Sequence, residues 1–460
     1  MKLRTLLTAA ALVAATLPAQ AQKQAPPAPG TPSAFSLPSV QRMTLPNGLE
    51  VRLVPYGEVP KAAVRLVTQT GNADEAANEV WLSDVTGAML EEGTTTRTPA
   101  TMAREAAMMG GALDISVGMN STTIGMDVFS ESVDDAIALI ADVARNPRFD
   151  AAELPRIKAD LTRRLSIQRT RPGSIASEKL SQVLYGEHPY GRTYPTEAML
   201  QGYTLDQVRA FHEKHFAATR SWLYVVGRFD AAAVEKAIRE NLGGWKSGTE
   251  ASVPPVRPEA RRAIYLIDRP GSVQSTLAIG LPVPDASHPD YLGLTVMNSL
   301  LGGSFGSRIT SNIRERRGYT YSPNSNISVR LGTGAWAEMA DVTTNVTGPA
   351  IGEILSEIDR LRREAPGVEE LRAIQNYMAG TFVLRNSSRA GIAGQLAFLD
   401  IYGLSEDFLR NYVQRVHALT PSDIQRLAQD YVDPSGLAIV VVGDKAQILE
   451  QLKGYGVVTE

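Results

Sequence analysis

An arginine and a tyrosine stand seven residues apart in Ile313-Arg-Glu-Arg-Arg-Gly-Tyr-Thr-Tyr321. Arg314 supplies a rigid fork of donors for a carbonyl, and Tyr321 a phenolic donor that can steady a developing oxyanion. By residue type alone, Arg314 is one cation of a basic helix end running to Arg317, which needs no function, and Tyr321 starts a strand. Upstream, Gly302-Gly-Ser-Phe-Gly306 has the spacing of a serine nucleophile elbow. That signature demands a strand before the serine and an acid, then a histidine, after it. The preceding Tyr291–Leu301 has helical apolar spacing instead, and the sole later histidine is His417. The five histidines include no pair in an H-x-x-E-H or H-E-x-x-H arrangement. His212 and His215, spaced i and i+3, could share a ligand; they read as the polar face and end cap of a helix leading into a strand. His188, in His-Pro-Tyr-Gly-Arg192, follows a helix and reads as structural.

From Leu82 to Arg97 the chain reads L-S-D-V-T-G-A-M-L-E-E-G-T-T-T-R. This resembles the first-helix segment of the M16 (pitrilysin/insulinase-like) zinc peptidases, whose pattern is H-x-x-E-H, then M-L, then G-T and a basic residue. With Met89-Leu90 and Gly93-Thr94 as anchors, Asp84 and Ala88 stand where the two histidine ligands belong, and Gly87 where the catalytic glutamate belongs. Two histidines at i and i+4 share a helix face and bind one zinc, with the glutamate as general base on the metal-bound water. Ala88 has no donor atom and Gly87 cannot move a proton. A later helix of the family supplies a further glutamate ligand, and the matching run, Arg156-Ile-Lys-Ala-Asp-Leu161, offers Asp160. Two carboxylates without imidazole make a weak cation site. The residues therefore read as a solvated helix-face aspartate and a helix-stabilising one. No metal and no cofactor is expected in this chain.

The run from Tyr291 through Ser322 resembles the family more closely still. M16 proteins carry there a helix, a Gly-rich turn and I-R-E-K-x-G-x-x-Y-S. In the family the Arg and Tyr reach across the cleft and hold the substrate backbone near the scissile bond. The resemblance implies substrate-binding roles for Arg314 and Tyr321, and for Gly302 and Gly303 as a flexible loop that a bound peptide must pass. Asn324–Arg330 and Thr333–Ala340 then alternate as a hairpin whose edge could add to an extended peptide.

The elements that must position these residues are duplicated. Thr204-Leu-Asp-Gln-Val208 matches Thr420-Pro-Ser-Asp-Ile424, each with a Thr helix cap. At the same 216-residue offset Val225-Val-Gly227 matches Val441-Val-Gly443. Glu153-Leu154 through Ile157 matches Glu370-Leu371 through Ile374 at an offset of 217. The chain therefore reads as two homologous halves of about 200 residues, 39–246 and 259–460, joined by a Pro- and Gly-broken linker, 247–258. Strands at Leu49–Val54 and Ala62–Val67, read as a pair, and helices at Asp134–Ala144 and Glu153–Gln168 mix β and α within a half. The expected class is α+β, two α/β-layer halves. The resemblance covers about residues 40 to 452 and implies that they form one half of a clam shell.

Residues 1–21 read as a signal peptide, with Lys2 and Arg4 before an apolar run and Ala19-Gln-Ala21 at its end; residues 22–38 read as a Pro-rich disordered tether. With no cysteine for lipid attachment and no second apolar span, the expectation is a periplasmic protein without a membrane anchor. The formal charge of −3, or −5 without Lys2 and Arg4, and the lack of a basic stripe argue against nucleic acid. Some M16 enzymes pair a chain with H-x-x-E-H and a chain without it. The resemblance implies that this chain is the second kind: inactive alone, binding peptide or unfolded polypeptide, and supplying Arg and Tyr to a zinc-bearing homologue in a heterodimer. The alternative is a stand-alone periplasmic pseudo-peptidase that binds or assembles peptides.

Overall fold

The computed structural model describes residues 36–259 and 261–459. The expected signal peptide, and the tether as far as residue 35, lie outside the described residues. The tether's last residues do not: Leu37 is buried in one cluster with Val54, Phe382 and Ile392. Among the described residues no helix is long and apolar enough to cross a membrane.

The first half builds a six-stranded sheet from β1 (Gln41–Thr44), β2 (Glu50–Pro55), β3 (Lys61–Thr68), β4 (Asp114–Val117), β5 (Thr122–Phe129) and β6 (Ser221–Gly227), in the order β1-β2-β6-β3-β5-β4. The expected pairing of β2 with β3 is thus wrong. β6 enters between them, parallel to β2 and antiparallel to β3. Its run Trp-Leu-Tyr-Val-Val is apolar on both faces, which suits only a central strand. The helices include α1 (Leu82–Leu90), α2 (Val133–Arg145), α3 (Leu154–Thr170), α4 (Pro172–Tyr185), α5 (Leu205–His215) and α6 (Ala231–Leu242).

The second half repeats this order in five strands and differs at one edge. β7 (Ala263–Asp268), β8 (Gln274–Val283), β9 (Asn324–Arg330), β10 (Thr333–Thr343), β11 (Ala438–Gly443) and β12 (Val458–Thr459) lie as β12-β7-β11-β8-β10-β9. At the differing edge β12 lies parallel to β7, while β1 is antiparallel to β2. Its helices include α7 (Tyr291–Asn298), α8 (Thr347–Arg363), α9 (Val368–Arg385), α10 (Arg389–Tyr402), α11 (Pro421–Tyr431) and α12 (Lys445–Leu452). The matched threonines start equivalent helices. The Thr204 hydroxyl accepts from the Gln207 amide and Thr420 from Asp423, each completing a capping box. The expected α+β architecture of two homologous α/β-layer halves is what the chain adopts.

One face of each sheet is covered by its own helices; the other is covered by a helix of the opposite half. α4 lies on β8 and β11, setting Leu180 and Leu184 among Ala278, Ala438 and Val440. Its counterpart α10 lies on β3 and β6, setting Leu396 and Leu399 among Val67, Tyr224 and Val226. This second contact carries a buried polar lock. Arg52 of β2, 4% exposed, pairs with Glu50 and with Asp400 of α10 at 2.9 Å, and the Tyr224 hydroxyl donates to Asp400 at 2.8 Å. The halves therefore share their cores and fold as one body.

Candidate functional site

In the first half the family-matched positions sit on α1, whose start is an uncommon turn. Trp81 caps the helix with φ +70°, a left-handed conformation costly for a bulky residue. Glu75 holds it there, accepting from the backbone amides of Trp81 (2.9 Å) and Ser83 (2.8 Å), from the Asn72 amide (3.1 Å), and from the Ser83 hydroxyl. Burial pushes the Glu75 carboxyl up to about 8, helped by the charge of Asp84.

Asp84 is not the solvated residue expected from its position. Its side chain is 10% exposed; it accepts from Asn72 at 2.8 Å and from the Arg164 guanidinium at 3.2 Å. Burial pushes its carboxyl up, against the pull of those two donors. Arg164 lies on α3 and rests on the Trp81 ring, 4.8 Å from its centroid. Asp160, which stands at the family's further-ligand position, is one helical turn before Arg164. It is bound to Arg156 and Arg163 on its own helix, as a helix-stabilising aspartate. A cation therefore stands where a second carboxylate would have to.

The place of the missing general base is filled as well. A Cβ on Gly87 would lie 2.5 Å from Cγ2 of Val117 on β4. Ala88 packs, half-buried, against the first-half core. Zinc does not fit these residues. One carboxylate is already shared between an amide and a guanidinium, with no imidazole beside it, and the arginine would repel a cation. Among the described residues no three His, Cys, Asp or Glu side chains gather in metal-holding geometry.

His212 and His215 likewise serve the fold, but from the inside, not on the polar face expected of them. His212 meets the Ala144 carbonyl at 2.9 Å and packs on Phe149 and Phe216. Burial drives its imidazole down to about 4, so it is neutral. His215 faces Arg220 at 2.9 Å and Asp74 at 3.4 Å. His188 accepts from the Tyr190 amide and meets the Pro254 carbonyl.

In the second half α7 runs into a π-helical turn, Ser299–Gly303, and a second π-helical stretch covers Thr310–Arg316. Helix, not strand, precedes Ser304, so the serine elbow is absent. Gly302 is not the flexible loop expected of it. It is buried, and a Cβ there would lie 2.5 Å from both Glu338 Oε2 and Ser325 Oγ. Full burial pushes that Glu338 carboxyl well above the usual range. Gly303 packs as closely against the Asn298 amide. The open part of the turn is Phe305-Gly306.

The basic run beyond it divides into two kinds of arginine. Arg308 makes a two-pronged pair with Glu370 of α9, at 2.7 and 2.8 Å. Arg316 and Arg317 pair with Glu357 and Glu353 of α8. Arg314 instead lies between two rings, 4.6 Å from the centroid of Phe305 and 4.7 Å from that of Tyr321. Its sole ionic partner among the described residues is the adjacent Glu315, through Nε at 3.0 Å. Phe305 is 70% and Tyr321 79% exposed. A guanidinium sandwiched by exposed rings keeps its terminal donors free and its orientation fixed. Arg314 and Tyr321 are thus brought together, whereas Asp84 has both its partners in the first half. Tyr321 lies in the bend before β9, and the hairpin β9–β10 forms as expected, with β9 at the sheet edge.

Sequence reasoning missed Arg164, Glu75, Val117 and Phe305. Arg164 was within reach, one helical turn beyond Asp160, and Phe305 sits inside the glycine run. Glu75 and Val117 carry no local signal.

The description "Peptidase M16 inactive domain" matches residues 202–378, and "Insulinase (Peptidase family M16)" matches residues 55–196. An uncharacterized zinc protease of Mycobacterium leprae is 24% identical over 335 residues, covering 70% of this chain and 75% of the relative. Another from Rickettsia felis is 24% identical over 331 residues, 72% of this chain and 80% of the relative. The solved M16 inactive domain from Pseudomonas fluorescens superposes with a TM-score of 0.82 at 24% identity, over 88% of this chain and 98% of that one. A chain of the respiratory complex III2 from Candida albicans superposes at 0.76 and 17% identity, over 91% of this chain and 98% of that one.

Proposed function

From its membership of the M16 (insulinase-like) peptidase family, we propose that this chain is the exported, non-catalytic subunit of a heteromeric zinc peptidase. Its partner is a homologue with intact H-x-x-E-H, and the zinc belongs to that partner. This chain binds extended or unfolded polypeptide, with Arg314 donating to a substrate carbonyl and Tyr321 donating its phenol to the developing oxyanion. Gly302 and Gly303 shape the turn that presents them. The periplasm is the compartment this reading requires.

The observation that carries the reading is the contrast between the arginines. Arg164 neutralises the degenerate site, whereas Arg314, unlike its neighbours Arg316 and Arg317, pairs with no acidic residue of another helix and lies between the exposed rings of Phe305 and Tyr321. The match of the inactive-domain description to the stretch that holds both residues supports it.

The test is reconstitution with the H-x-x-E-H homologue from the same source. Peptide hydrolysis should exceed that of the homologue alone and vanish on zinc chelation. A mixture no more active than the homologue alone sinks the proposal and leaves a stand-alone peptide-binding protein.

A further inference from the structure

The helices that correspond by duplication to α1 and α3 are α7 and α9, and between them lies a cavity of about 500 Å³, within the range of ligand pockets. Where α3 carries Arg164 against Asp84, α9 carries Thr381 at the matching offset of 217, and Thr381 lines the cavity. Its walls are aromatic. Tyr291 of α7, Phe398 of α10, Phe408 and Tyr412 present rings 6.2–6.4 Å apart at successive contacts, and Phe382 of α9 stacks on Tyr412 at 4.0 Å. Burial pushes the phenols of Tyr291 and Tyr412 up, Tyr412 to about 12, so these walls stay neutral.

The lining contains a single full charge, Arg385. Arg385 is exposed, and its guanidinium has no hydrogen-bond or ion-pair partner among the described residues. Gln395, half-buried in the wall, makes no side-chain hydrogen bond among them either. Arg308, Arg316 and Arg317 are paired and Arg314 is sandwiched, whereas Arg385 keeps a free guanidinium beside aromatic walls, a group suited to an anion. Arginine matches a carboxylate in a two-pronged geometry. Aromatic walls prefer another ring, offset-stacked or edge-on. A ring and a carboxylate at the shortest covalent distance occur together in a peptide at a C-terminal Phe, Tyr or Trp.

We infer that this cavity is a binding pocket for the C-terminal aromatic residue of a peptide, with the ring among Tyr291, Phe398 and Tyr412, and the terminal carboxylate on Arg385 and Gln395. The inference rests on the reading that this chain handles peptides. It names the class held in the second half: fragments or substrates ending in an aromatic residue. Gly303, at the end of the π-helical turn, is part of the pocket lining.

The experiment is calorimetric titration of the chain alone with N-acetyl-phenylalanine, N-acetyl-phenylalaninamide and N-acetyl-alanine. The acid should bind, the amide about tenfold more weakly, and the alanine derivative not at all, as expected for loss of one charge-assisted contact or of the ring. Arg385→Gln should lower the acid to the level of the amide. Gly394→Leu supplies the second variant: Gly394 lines the cavity on α10, and an added Cβ there meets nothing within 4 Å. Leucine there favours the helix and fills the space, so binding should disappear with the melting temperature kept or raised. Equal binding of acid and amide, no binding of the acid at millimolar concentration, or unchanged binding in Gly394→Leu overturns the inference. Binding to the chain alone without stimulation of the zinc-bearing homologue sinks only the heteromer reading. Stimulation without such binding sinks only the pocket.

Discussion

The two halves carry the same order of five strands and the same helix pair at their candidate sites, yet one has closed its site and the other has kept it open. On α1 and α3 every polar group is spent internally. Asn72 bridges Glu75 and Asp84, Arg164 closes on Asp84, and Val117 occupies the space beside Gly87. Between α7 and α9 lies a cavity, with Thr381 in the place that matches Arg164, and the neighbouring Arg314 is oriented by rings that leave its terminal donors free. Loss of catalytic chemistry here is therefore an exchange of one packed arrangement for another. A site that has been repacked resists reversal, whereas one that has only lost a ligand does not.

The comparison is most strongly broken by separating the halves. Asp400→Ala should destabilise the protein by about 3 kcal/mol in chemical denaturation, because Arg52 keeps its burial and loses its cross-half partner. Replacing both, Arg52→Met with Asp400→Leu, should recover most of that loss. A single variant as stable as the parent would mean that α10 does not bind the first sheet as described.

Next in size is the open site. In the reconstituted pair Arg314→Ala should lower turnover about 100-fold, equivalent to about 2.7 kcal/mol, with the complex still assembled by gel filtration. Lysine should not restore it, since a point charge lacks the planar fork that stacks between Phe305 and Tyr321. Unchanged turnover would place the second half's arginine on the same footing as Arg316.

The closed site gives a smaller effect with a definite sign. Asp84→His, Gly87→Glu and Ala88→His together restore the motif in sequence. The triple variant should still bind no stoichiometric zinc by metal analysis and should lose about 1–3 kcal/mol, because the new side chain at 87 collides with Val117 and Arg164 stays in place. Tight zinc binding by this variant would show that the site was emptied and never repacked.

The smallest effect concerns pH. His212 has an imidazole driven by burial to about 4 from an ordinary 6.5. Between those values the unfolded chain binds more protons than the folded one, so stability falls as pH drops from about 6.5 toward 4, at up to about 1.4 kcal/mol per pH unit. His212→Gln should flatten that part of the stability–pH curve, and an unaltered slope would exclude His212 as its source.

Legibility followed the range of the interactions. The repeat was readable because its markers are local: threonine caps at 204 and 420, and Val-Val-Gly strand ends at 227 and 443. The β9–β10 hairpin was readable from alternation. The pairing of β2 with β3 was misread because β6, about 150 residues further on, takes the place between them. Gly302 was read as loop because glycine permits mobility, whereas here its missing Cβ lets the turn press against Glu338 and Ser325.

By itself the sequence determined that Gly87 and Ala88 carry no donor, that the chain is doubled, and that an Arg and a Tyr stand seven residues apart. These are properties of residue type and spacing, which no fold can alter. Only the tertiary structure decided that Arg164 and not Asp160 faces Asp84, that Val117 fills the base position, that α4 and α10 exchange sheets, and that Arg314 is held between Phe305 and Tyr321. Each of these depends on groups from distant segments meeting at a few ångströms, and that meeting is set by packing the whole body.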